Sequence, residues 1–148
     1  MSSSKLLIKN GQVLVDGQSE GPVLATNVPL SFWGGLNPTT GEIIDRHHPL
    51  SKENVTGKVF VLPTGRGSCT GSGILLEAIF SEHAPAAILL CQLDEIISLG
   101  SIVAAEFLQK SIPIIVLTPK DFEDALKAKY AFIDKAGKVK LQIKTVSN

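Results

Sequence analysis

Residues 63–79, PTGRGSCTGSGILLEAI, set four glycines, Arg66 and the hydroxyls of Thr64, Ser68, Thr70 and Ser72 directly ahead of an apolar stretch with helical spacing. Glycines ahead of a helix let backbone N–H groups approach an anion closely, and the helix N-terminus adds partial positive charge. Such a segment could cradle a phosphate, bind a dinucleotide, or aim one hydroxyl at a substrate. A phosphate loop of the G-x-x-x-x-G-K-[ST] kind needs its lysine on the terminal phosphates, and residues 63–79 contain none. The dinucleotide fingerprint G-x-G-x-x-G needs its third glycine for helix packing. Here Gly65, Gly67 and Gly71 are spaced one residue too long, although Asp94 and Glu95 stand where a ribose-binding acid would. The nucleophile elbow G-x-S-x-G also fails, because neither Ser68 nor Ser72 has a glycine two residues away on both sides. A tight turn whose hydroxyls compete to cap the helix accounts for part of the pattern. It leaves Arg66 unexplained, since a cation at a helix start opposes the dipole unless an anion is bound there.

Composition narrows the clients of this segment. The chain has 148 residues, 44% of them hydrophobic, and a formal net charge of zero, so a single domain spanning residues 1–148 with a substantial core is expected. Without a basic excess, neither nucleic acid nor an anionic membrane is an expected partner. Two cysteines, Cys69 and Cys91, are too few for a disulfide framework or a self-contained metal cluster, which fits a reducing, cytoplasmic location. The apolar runs APAAILLC and IPIIVL are far shorter than the ~20 residues that cross a bilayer.

The elements that must carry residues 63–79 follow from periodicity. Asn10-Gly11 between LLIK and QVLV predicts a type I′ β-hairpin over residues 5–15, and Asp16-Gly17 predicts a second turn. The first sixty residues read as strands and loops. GKVFVLPT, residues 57–64, predicts a buried strand that delivers the glycines, and Ile74, Leu75, Ala78 and Ile79 predict a helix over 73–84 with Ser72 as its N-cap. Next come a strand at PAAILLCQ, a helix at LGSIVAAEFLQK, a strand at IPIIVLTP, a short amphipathic helix at KDFEDALKA and a closing hairpin around Lys135-Ala136-Gly137. This order predicts an α/β fold, a compact β/β/α domain with helices over a mostly parallel sheet and further β layers from the N-terminal strands.

Three segments together, PLSFWGGLNPTTGEIIDRHHPL (29–50), GKVFVLPTGRGSCTGSGILLEAI (57–79) and APAAILL (84–90), resemble the small subunit, or swivelling domain, of the aconitase X group of hydro-lyases. The resemblance implies a swivelling β/β/α domain like the small domain of aconitase-type enzymes. It further implies a heterodimer or higher assembly with a large aconitase X subunit that holds an iron or iron–sulfur centre, while this chain binds no metal itself. It matches Ser68 to the family's proton acceptor and implies a small anionic substrate: cis-3-hydroxy-L-proline, which the segment DRHHPL favours, or mevalonate 5-phosphate. A serine hydroxyl is a weak base until its alkoxide is stabilised, and the amides of Gly67, Cys69, Thr70 and Gly71 could do that. Arg66 could pair with the substrate carboxylate or with the alkoxide.

Other polar residues carry open readings. His47 and His48 follow Asp45 and Arg46 and are possible accessory groups, but neighbours on an extended chain face opposite ways, so both can hardly serve one site. Residues 31–35, SFWGG, suit either a core turn around the only tryptophan, Trp33, or a subunit contact or wall of the substrate cleft. His83 is expected to end a helix, and Asp121, Glu123, Asp124, Lys127 and Lys129 to form the solvated face of the last one. A non-catalytic anion-binding or regulatory module is the competing reading of residues 63–79.

Overall fold

The computed structural model describes residues 3–65 and 69–145. Eleven elements follow in chain order: β1 (Ser3–Asn10), β2 (Gln12–Val15), β3 (Ser19–Ala25), β4 (Val59–Val61), α1 (Cys69–Phe80), β5 (Ala87–Leu90), α2 (Glu95–Leu108), β6 (Ile114–Val116), α3 (Pro119–Leu126), β7 (Ala128–Ile133) and β8 (Lys138–Thr145). The strands form one mixed eight-stranded sheet in the order β1-β8-β7-β3-β4-β5-β6-β2. Its centre is parallel, with Val23 opposite Val59, Val59 opposite Ala87, and Ile88 opposite Ile114. The outer strands are antiparallel.

The parallel strands bury both faces, which is why their sequences are continuously apolar rather than alternating. Phe60, Leu62, Ile88 and Leu90 face α1 and α2 and pack with Leu75, Ile79, Ile97 and Ala104. Val59, Val61, Leu89 and Ile115 face the other way, onto Phe122 and Ala125 of α3 and onto Ala131, Ile133, Val139 and Leu141 of the closing hairpin. Each fully buried side chain of this size contributes about 1.5–3 kcal/mol. The two cores clamp the sheet and thereby fix where its strand ends point.

The hairpin predicted at Asn10-Gly11 does not form. β1 pairs with β8, in register from Ser3 opposite Thr145 to Asn10 opposite Lys138, whereas β2 pairs with β6 at the far edge. Two strands joined by one residue thus occupy opposite ends of the strand order, so the sheet must curl until its edges meet near Gly11. Gly11 does not take the positive φ that a type I′ turn demands. Its requirement is space: an added Cβ would lie 2.2 Å from Ile115 Cγ2, and the Gly11 N–H donates to Gly137 O at 3.0 Å. Asp16-Gly17 likewise links β2 to β3 without pairing them.

The predicted order of strands and helices after residue 57 is present, and Gly137 supplies the positive φ of 86° in the closing turn. Two helix starts differ. α1 begins at Cys69 rather than Gly73, which places Ser72 inside the helix instead of at its cap. α2 begins at Glu95 because Asp94 caps it, four residues before the predicted LGSIV start. The acids of α3 are not merely solvated: Lys9 of β1 bridges Asp124 at 2.8 Å and Asp121 at 3.2 Å, tying α3 to the curled sheet. Lys129 lies on β7, and His83 lies beyond the end of α1. No helix among the described residues is long and apolar enough to cross a membrane.

Candidate functional site

β4 delivers the chain to Pro63, and residues 91–94, just after β5, receive it. The N–H groups of Cys91 and Gln92 donate to Pro63 O at 3.0 and 3.1 Å. One carboxylate oxygen of Asp94 then accepts from the Gly65 N–H at 2.9 Å and faces the Thr64 hydroxyl at 3.0 Å. The other oxygen accepts from the N–H groups of Ile96 and Ile97 at 3.1 and 3.0 Å, capping α2. At 7% exposure this is a buried carboxylate, which is tolerable because N–H donors and a helix N-terminus compensate its charge. The spacing reads Asp94 only as a ribose-binding acid, whereas in the structure it caps α2 and accepts from the Gly65 N–H. The signal that could have found its capping role is Asp directly ahead of the apolar run EIISL.

Gly65 has no room for a side chain. An added Cβ would meet Ile97 Cδ1 at 2.6 Å and the Asp94 carboxylate at 3.0 Å, so only glycine lets the backbone rest against the head of α2. Leu30 forms a parallel bridge with Gly65 on its other side. Leu30 directly precedes the SFWGG segment, whose Phe32 is buried and stacks on Phe60 with ring centroids 6.4 Å apart. Trp33 instead points outward at 60% exposure, with Gly34 turning the chain at a φ of 76°. The core turn expected around Trp33 is built on Phe32 instead, and Trp33 lies on the surface.

Arg66, Gly67 and Ser68 lie outside the described residues. Cys69 and Thr70 open α1, and Gly71 is buried in its first turn. A Cβ on Gly71 would lie 3.8 Å from Ile96 Cγ2 and 3.9 Å from Phe32 Cβ, so the first turns of α1 and α2 and the SFWGG segment converge there. An α-helix offers no internal acceptor for its first N–H groups, and the first turn of α1 holds no acidic side chain that would compete with an incoming anion. α1 is seated against α2 by Gly100, whose absent side chain admits Ser72 O to within 2.5 Å of the Cβ position.

The DRHH segment comes to the same neighbourhood. Val28, Pro29, Ser31, Asp45, His47 and His48 line a small cleft of about 140 Å³, and Pro29 and Ser31 flank the residue bridged to Gly65. The two histidines differ. His48 is buried, its Nδ1 accepts from the Leu50 N–H at 3.0 Å, and its Nε2 therefore carries the proton donated to Val28 O at 3.1 Å. His47 is exposed, with its backbone N–H held by Asp45 at 2.9 Å. A larger hollow of about 730 Å³ between Leu6, Glu20, Phe132 and Lys140 sits on β1, β3, β7 and β8, strands that carry none of the candidate residues. Among the described residues, no group of three or more His, Cys, Asp or Glu side chains is placed to hold a metal ion.

The family model of the aconitase X swivel domain matches residues 8–141. The cis-3-hydroxy-L-proline dehydratase of Hypocrea jecorina is 44% identical over 124 residues, 84% of this chain and 21% of that protein. The phosphomevalonate dehydratase small subunit of Methanothermobacter thermautotrophicus is 43% identical over 93 residues, 63% of this chain and 71% of that protein. The crystal structure of holo-form aconitase X from Thermococcus kodakaraensis superposes with a TM-score of 0.78 at 28% identity, covering 91% of this chain and 98% of that one. The chain spans about a fifth of the length of the cis-3-hydroxy-L-proline dehydratases that it matches. A match over nearly all of the described residues, in sequence and in fold alike, places this chain in the aconitase X swivel domain family.

Proposed function

We propose that the chain supplies the general base of an aconitase X type dehydratase, inactive alone and catalytic beside a large aconitase X partner in the cytoplasm. The observation that carries this reading is the start of α1 at Cys69, which makes Ser68 the residue immediately ahead of a helix N-terminus with no acid in its first turn. Ser68 Oγ, as its alkoxide, takes the carbon-bound proton next to the substrate carboxylate; the C–H electron pair becomes the new C=C bond, and the C–O bond on the neighbouring carbon breaks to release hydroxide, which solvent protonates to water. An alkoxide at that position gains from the amides of Gly67, Cys69, Thr70 and Gly71 and from the helix dipole, which favour the charged form. Arg66 adds a cation suited to a planar carboxylate or to the same alkoxide. The iron or iron–sulfur centre belongs to the large partner and supplies Lewis-acid polarisation of the leaving hydroxyl when bound.

The substrate favoured is cis-3-hydroxy-L-proline. The likeness to the dehydratase of that name extends over 84% of this chain, against 63% for the phosphomevalonate dehydratase small subunit at nearly the same identity. Mevalonate 5-phosphate is the second reading, supported by the 43% identity to that small subunit over 93 residues. Co-expression with a large aconitase X partner, followed by assay of the purified pair on both compounds, tests the proposal. Dehydration of cis-3-hydroxy-L-proline by the pair and by neither component alone is expected. Binding of small anions without turnover of either compound would favour the non-catalytic module.

A further inference from the structure

We infer that Asp94 is a positioning residue for the reaction, acting through the backbone at Gly65 rather than on substrate. The inference rests on the proposed role of Ser68 and adds to it a residue on a different element. Residues 63–65 are tied to residues 91–94 by the bonds from Cys91 N and Gln92 N to Pro63 O and by those from Thr64 and Gly65 to the Asp94 carboxylate. On the far side of residues 66–68, α1 is seated on the same helix, with Ser72 O against Gly100 of α2. Both flanks of the segment that holds Ser68 are thus referenced to α2, one by packing and the other through the Asp94 carboxylate.

The two oxygens of Asp94 perform separable tasks. Oδ1 serves Ile96 and Ile97 and belongs to the helix cap; Oδ2 serves Gly65 and Thr64 and belongs to the flank of the site. The Thr64 hydroxyl also lies 3.0 Å from Gly65 O, but its one proton goes to the carboxylate, the stronger acceptor. Asparagine keeps the shape and is as good an N-cap as aspartate. Its carbonyl oxygen stays on Ile96 and Ile97, because the flipped amide would forfeit both cap bonds. Its NH₂ then confronts the Gly65 N–H, donor against donor, while the Thr64 hydroxyl can rotate to accept. Asp94→Asn therefore cuts the Gly65 bond and leaves the cap. Serine at 94 also caps but is too short to reach Gly65, which makes Asp94→Ser an independent second variant.

The test uses the full chain in complex with its large partner, with Ser68→Ala alongside. Asp94→Asn and Asp94→Ser should still assemble with the partner, with Tm lowered by several degrees for the unpaired Gly65 N–H, while kcat falls about 100-fold and KM changes by less than about twofold, since a displaced base is felt in turnover more than in binding. Hydrogen exchange gives a readout free of activity: the Gly65 amide should exchange at least about tenfold faster, with Ile96 and Ile97 unchanged. Unchanged Gly65 exchange overturns the inference, as does wild-type kcat in both Asp94 variants while Ser68→Ala is inactive. Full turnover in Ser68→Ala overturns the base assignment instead, and the exchange result alone then decides whether Asp94 holds Gly65.

Discussion

The Gly65 N–H donates to the carboxylate of Asp94 at 2.9 Å, joining the end of the β4 connection to the cap of α2 across 29 residues of sequence. A bond of this kind sets the position of one backbone stretch against another helix. It explains why glycine stands at 65, where both Ile97 and the carboxylate exclude a Cβ.

Two glycines near the site should respond oppositely to alanine. At Gly100 a Cβ would lie 2.5 Å from Ser72 O, so Gly100→Ala must push α1 from α2 and should cost about 1–3 kcal/mol. At Gly73 nothing lies within 4 Å, and alanine inside α1 should gain about 0.5–1 kcal/mol through helix propensity. Urea denaturation of both variants checks the pair.

Adjacent histidines should separate in the same assay. His48→Ala leaves Val28 O and the Leu50 N–H without their partner and should destabilise the chain by about 1–3 kcal/mol. His47→Ala, at an exposed position, should stay within about 0.5 kcal/mol of wild type.

The link between α3 and β1 should show a pH window. Hydrogen bonds to Asp124 and then Asp121 raise the Lys9 pKa above the ordinary lysine range, and the bond from Lys9 holds Asp124 below the ordinary carboxylate range. The depressed acid contributes stability above its unfolded pKa, lost as pH falls through the folded value; the raised base contributes below its unfolded pKa, lost as pH rises through the folded value. Lys9→Met should therefore lower the urea midpoint slightly near pH 7 and match wild type near pH 2, where carboxylates are protonated. Salt should shrink the difference, because the groups are solvent-screened.

What the sequence reveals follows the range of the interactions involved. Strands β4, β5 and β6 are apolar on both faces and declare themselves, as do amphipathic α3 and the Gly137 turn. The Asn10-Gly11 signal misleads because Asn10 pairs with Lys138, far along the chain, and Gly11 is chosen for the approach of Ile115. The early start of α1 was hidden by its glycines, which lower helix propensity until packing on α2 overrides it. Asp94 reads in the sequence as a ribose-binding acid, neither as the cap of α2 nor as the partner of Gly65, the latter a contact created only when β4 and β5 lie side by side.

Ser68→Ala tests the central claim most directly. With the chain assembled on its large partner and assayed on the substrate that the wild-type pair dehydrates, the variant should still assemble and bind substrate while kcat falls at least about 1,000-fold. Turnover by Ser68→Ala equal to that of the wild-type pair would contradict the account.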